Sequence, residues 1–78
     1  MSQTEFEKLR EQLDEVNLEI LEQINRRAKI VQQIGQLKVK QSMKKFDPER
    51  EREMLDKILQ ANTGPFAAST VEHIFKEI

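Results

Sequence analysis

From Leu9 to Lys40 the chain reads LREQLDEVNLEILEQINRRAKIVQQIGQLKVK. This stretch holds no proline and one glycine, Gly35. Aliphatic residues recur at Leu9, Leu13, Val16 and Ile20, and again at Ile30, Ile34 and Leu37. Steps of four and three carry the register through positions 23 and 27. The pattern predicts one amphipathic helix spanning most of the segment between Thr4 and Gln41. Such a helix is about 55 Å long, whereas a compact globule of this chain length has a radius of gyration of about 11–12 Å. The rest of the chain is too short to cover the whole stripe. The expected architecture is therefore all-α, with three helices per chain, one long and N-terminal and two shorter. Two copies are expected to intertwine as a helical homodimer. A long coiled coil with a loose tail is the other arrangement the stripe allows.

Two breaks follow the long segment, one from Ser42 to Asp47 and one at Asn62-Thr63-Gly64-Pro65. Asp47-Pro48-Glu49 reads as a helix start: Asp caps, Pro suits the first helical position, and acids favour the N-terminal end of the dipole. Met54, Leu55, Ile58 and Leu59 form the apolar face of this second helix, and Asn62, Gly64 and Pro65 stop it at about residue 61. Ser69-Thr70-Val71-Glu72 reads as a capping box, followed by Ile74, Phe75 and Ile78 at helical spacing. A start nearer Pro65 is the alternative. No stop signal precedes Ile78. Residues 1–78 are thus expected to be one domain, cut within its third helix and part of a longer protein.

The chain has 78 residues and a mass of 9.2 kDa, with no cysteine and a single histidine, His73. A core of this size is marginal on its own. Disulfides are excluded and a zinc site lacks ligands, which leaves self-association or attachment to a larger protein. Charged residues make up 35% and aromatics 5%, which excludes a β-sandwich and favours solvated helices. Net charge is −1, but its distribution is uneven. Residues 1–25 carry two Lys or Arg against seven acids, residues 26–52 nine against three, and residues 53–78 two against four. A basic middle between acidic ends points to a local anion site. No apolar run is long enough to span a membrane, and the acidic N-terminus is not a secretory signal. A cytoplasmic location is expected. The basic stretch Lys38, Lys40, Lys44 and Lys45 is followed by one aromatic, Phe46, too few for RNA recognition by stacking.

The stripe has a polar defect at its centre, where Gln23 and Arg27 occupy the register of Ile20 and Ile34. A seam arginine must be paired, hydrated or bound to a ligand, because an unpaired buried charge is costly. Lys38 follows eleven residues later, about 20° from three full turns. Arg27, Val31, Ile34 and Lys38 therefore share a face, two cations bracketing two aliphatics over some 16 Å. An elongated anion with an apolar middle fits it. A solvated Lys38 and a snorkelling Arg27 are the plain structural alternative. Arg50 and Glu51 are either part of a charge-laced first helical turn or the mouth of this face. Arg10, beside Leu9, is by itself a surface charge. His73 lacks the nucleophile or second histidine that catalysis would require, and no glycine-rich phosphate loop is present.

Taken together, Leu9-Arg10-Glu11, Asn25-Arg26-Arg27, Ile34-Gly35-Gln36-Leu37-Lys38 and Asp47-Pro48-Glu49-Arg50-Glu51 resemble the all-helical, AroQ-type chorismate mutase family. Order and spacing match without gaps from Arg10 to Glu51. Gly64-Pro65-Phe66 and His73-Ile74-Phe75-Lys76-Glu77-Ile78 are most similar to the mutase-like domain at the N-terminus of Bacillus-type DAHP synthases. The resemblance implies three helices per chain in an intertwined dimer, needing no cofactor and no metal. It implies rearrangement of chorismate to prephenate within aromatic amino-acid biosynthesis. Arg27, and Arg10 from the partner chain, would bind the two carboxylates. Lys38 would donate to the ether oxygen, Glu51 would hold the ring hydroxyl, and Asp47 and Arg50 would complete the pocket. The family's further ligands, typically a Ser and a Gln or Glu of the last helix, would fall past Ile78. In fused enzymes the same domain is implied to be a sensor through which chorismate or prephenate regulates the attached synthase.

Overall fold

A computed structural model describes residues 4–43 and 47–78. The chain divides after Lys40 into two compact units. The described residues form three helices and no strand, so the all-α expectation holds.

The first unit is α1, Glu5–Lys40, a single helix of 36 residues. Thr4 starts it. Its Oγ1 accepts the Glu7 N–H at 3.1 Å, satisfying one of the helix's orphan donors, and its carbonyl accepts the first intrahelical bond, from the Lys8 N–H at 3.1 Å. Glu5 and Glu7 stand in the first turn and Lys38 and Lys40 in the last, each complementing the helix dipole. The chain leaves the helix through Ser42, whose φ of 56° lies in the left-handed region. A Cβ makes that conformation costly, which is why glycine usually follows a helix end. Ser42→Gly should therefore raise stability by about 0.5–1 kcal/mol, read as a higher urea midpoint at unchanged slope. An unchanged or lower midpoint would show that Ser42 is not strained.

The aliphatic stripe of α1 remains open along its length. Leu9 is 62% exposed, Val16 46%, Ile34 47% and Leu37 53%. No described side chain of α1 is buried.

In the second unit, α2 (Pro48–Ala61) packs on α3 (Ala68–Glu77). Asp47 caps α2 as its sequence suggested, with Oδ1 accepting the Arg50 N–H at 3.2 Å and Pro48 opening the first turn. Asn62 ends it and also shapes the loop that follows. Its N–H donates to the Leu59 carbonyl at 3.3 Å. Its Oδ1 accepts from the Gly64 N–H at 3.2 Å, and its Nδ2 donates to the Phe66 carbonyl at 2.9 Å. Met54, Leu55, Ile58 and Leu59 are half-buried, as is Phe75, and Val71 is the one buried apolar side chain among the described residues.

The start of α3 differs from the capping-box reading. Ala67 is the N-cap and makes no side-chain cap bond. Its carbonyl accepts from both Thr70 and Val71 N–H at 3.1 Å. Ser69 and Thr70 thus lie inside the first turn, and the N-cap falls midway between the two expected starts, two residues after Pro65 and two before Ser69. The reason is local: the backbone turn closes on Ala67 two residues before the first hydroxyl that could cap it. Lys44, Lys45 and Phe46, the second half of the basic stretch, lie outside the described residues.

Candidate active site

The site residues expected from sequence fall into two groups, one in each unit. Arg10, Arg27 and Lys38 stand on α1; Asp47, Arg50 and Glu51 cluster at the start of α2.

On α1, every described residue is exposed except Arg27, Gly35 and Lys38. The pattern inverts the usual one, in which aliphatics are covered and cations are open. Ile30, Val31 and Ile34, beside the two cations, are 45%, 50% and 47% exposed, while Arg27 and Lys38 are partly covered and neither is free of partners. The two charged groups therefore do not simply extend into water from the stripe. Helix geometry sets their Cα atoms about 16 Å apart along the axis and within about 20° in azimuth. Two cations on one face with Val31 and Ile34 between them suit an anion with an apolar middle.

Arg10 cannot join them on the same helix. It lies seventeen residues before Arg27, about 26 Å along the axis. Its guanidinium instead sits over the ring of Phe6, with Cζ 4.2 Å from the centroid. That contact was missed in the sequence. Its signal was the spacing of four, which stacks two side chains on one helix face.

At α2 the three polar candidates share the first turn. Asp47 spends Oδ1 on the cap, and Glu51 donates its backbone N–H to the Asp47 carbonyl at 3.1 Å. Arg50 Nη1 lies 3.8 Å from Glu53 Oε2, with both side chains more than half exposed. A pair so long and so open is worth little, and it leaves Arg50 able to exchange Glu53 for a ligand carboxylate. Glu51 is exposed. His73 is exposed too, as a helix-surface histidine should be.

Fold and charge thus define an all-helical domain that holds an arginine and a lysine within the apolar stripe of its longest helix. That combination suits binding of a small dianion. Residues 9–78 match the chorismate mutase type II family. The chain belongs to that family. It is 40% identical over 78 residues to the bifunctional chorismate mutase/prephenate dehydratase of Aquifex aeolicus, and 37% identical over 81 residues to that of Neisseria gonorrhoeae. These alignments cover 95% and 100% of this chain but 22% of either relative, so the chain spans about a fifth of their length. It also resembles the solved chorismate mutase of Thermus thermophilus. In that enzyme's form I the TM-score is 0.89 at 39% identity, covering 95% of this chain and 92% of the other. Form II gives the same score and covers 84% of the solved chain.

Proposed function

We propose that this domain rearranges chorismate to prephenate. The observation that carries the reading is the pairing of Arg27 and Lys38 on one face of α1, partly covered where the aliphatics around them are open. The family match and the likeness to a solved chorismate mutase support it.

The reaction is an intramolecular [3,3] shift. The ether C–O bond breaks as a C–C bond forms within one cycle of six atoms, and no proton changes hands. A chain without a nucleophile needs only to hold the reactive conformer and to stabilise charge. Arg27 and the partner's Arg10 bind the carboxylates. Lys38 donates to the ether oxygen, where negative charge grows in the transition state. Glu51 accepts from the ring hydroxyl, and Asp47 and Arg50 also bind substrate. The chemistry calls on no cofactor, and a cytoplasmic location suits it.

The site requires a second copy. Arg10 is too far along α1 to serve the Arg27 of its own chain, and the open stripe from Leu9 to Ile20 offers the surface for an intertwined homodimer. Sedimentation at micromolar concentration should give about twice the monomer mass. A stable helical monomer would remove both the dimer and the shared site.

A second reading keeps the ligand and drops the turnover. On that reading the domain serves as a chorismate or prephenate sensor with weak or no mutase activity. For the attached enzyme, the two relatives support a prephenate dehydratase. A DAHP synthase rests on the Gly64-Pro65-Phe66 and His73–Ile78 tracts alone. Incubation with chorismate separates the readings. Loss of chorismate matched by prephenate formation identifies the mutase, and prephenate binding without turnover identifies the sensor.

A further inference from the structure

Arg10 is held against an aromatic ring. Its Cζ lies 4.2 Å over the centroid of Phe6, one helical turn toward the N-terminus. Side chains on a helix lean toward its N-terminal end, so a residue four positions on falls back across its predecessor. The ring's quadrupole attracts the cation, and the contact consumes none of the five guanidinium donors. Phe6 is itself fixed in the capped first turn that Thr4 begins, and it is 62% exposed.

We propose that Phe6 is a positioning residue: it holds the Arg10 guanidinium in place for a substrate carboxylate without using any of its donors. This rests on the reading of Arg10 as a carboxylate ligand of the mutase site. A long charged side chain loses much rotamer freedom when a ligand fixes it. A ring that restricts it beforehand removes part of that loss and tightens binding. Phe6 touches no reacting atom, and the carboxylates are charged in ground and transition states alike. Its contribution therefore falls on KM and prephenate affinity, with kcat nearly unchanged.

The test titrates prephenate by calorimetry into the wild-type chain and into Phe6→Leu, Phe6→Tyr, Arg10→Ala and the Phe6→Leu/Arg10→Ala double variant, with oligomeric state checked by sedimentation. Phe6→Leu keeps apolar bulk without a π face and should weaken binding about two- to fivefold. Phe6→Tyr should restore it. In the Arg10→Ala background, Phe6→Leu should cost nothing more, since the group it positions is gone. If Phe6→Leu fails to assemble, Phe6→Met replaces it as a ringless variant of similar volume. Wild-type affinity in the ringless variant, beside a weakened Arg10→Ala, would overturn the inference while leaving Arg10 a ligand. An equal loss with and without Arg10 would make Phe6 a packing residue and also overturn it. Wild-type affinity in Arg10→Ala would instead overturn the carboxylate reading of Arg10 itself.

Discussion

Replacing Lys38 with alanine should lower kcat about 10²-fold or more, the scale for losing one preorganised donor, while affinity for prephenate changes far less. Lys38 stands on the Arg27 face of α1 and is partly covered by its surroundings. As the ether bond breaks, its oxygen gains negative charge that the ground state lacks. A donor aimed there acts mainly on the transition state, so its removal should appear in kcat rather than in binding. Lys38→Gln keeps a donor without the charge and should fall between the two. Steady-state kinetics with chorismate, paired with calorimetry on prephenate, reads both quantities. A large loss of affinity with kcat intact would make Lys38 a carboxylate ligand and contradict the assignment.

Arg27→Ala should weaken prephenate binding by at least about 2 kcal/mol, or about 30-fold in Kd, as expected for a charged hydrogen-bond partner in a partly covered site. Arg27 is partly covered, so a ligand carboxylate there meets a cation with less competing water than at an open surface. Folding should suffer little. Alanine is the best helix former, and taking a cation out of an apolar seam can be neutral or stabilising. Unchanged affinity would return Arg27 to the role of a snorkelling side chain.

The long helix was readable because its signals are local and repeated. Seven aliphatics in register and one glycine predict a helix between Thr4 and Gln41, and α1 runs Glu5–Lys40. Asp47-Pro48 and Asn62 were equally legible, since each acts within a few residues of itself. The start of α3 was misplaced because Ser69-Thr70-Val71-Glu72 satisfies the same local rule, yet the backbone turn closes first on Ala67. The loop role of Asn62, bonded to both Gly64 and Phe66, depends on a turn geometry that composition does not encode. Arg27 stood out as a polar break in an apolar series. Arg10 did not: on its own helix it is a surface charge, and the role proposed for it depends on a second chain. Residues whose function depends on another molecule leave no periodic trace.

The shared site can be tested by mixing two impaired variants. Arg10→Ala removes the ligand each chain lends to its neighbour, and Lys38→Ala removes the donor each chain keeps for itself. In a mixed dimer, one of the two sites receives both defects and the other receives neither. If subunits exchange at random, half of the dimers are mixed and each has one intact site of two. Unfolding and refolding the variants together in equal amounts should therefore recover about a quarter of wild-type turnover at chorismate well below KM, where both single variants are impaired, and so lie far above either variant alone. If the refolded mixture is no more active than the separate variants although sedimentation shows mixed dimers, then Arg10 and Lys38 do not meet across the chain boundary, and the account of the site is wrong.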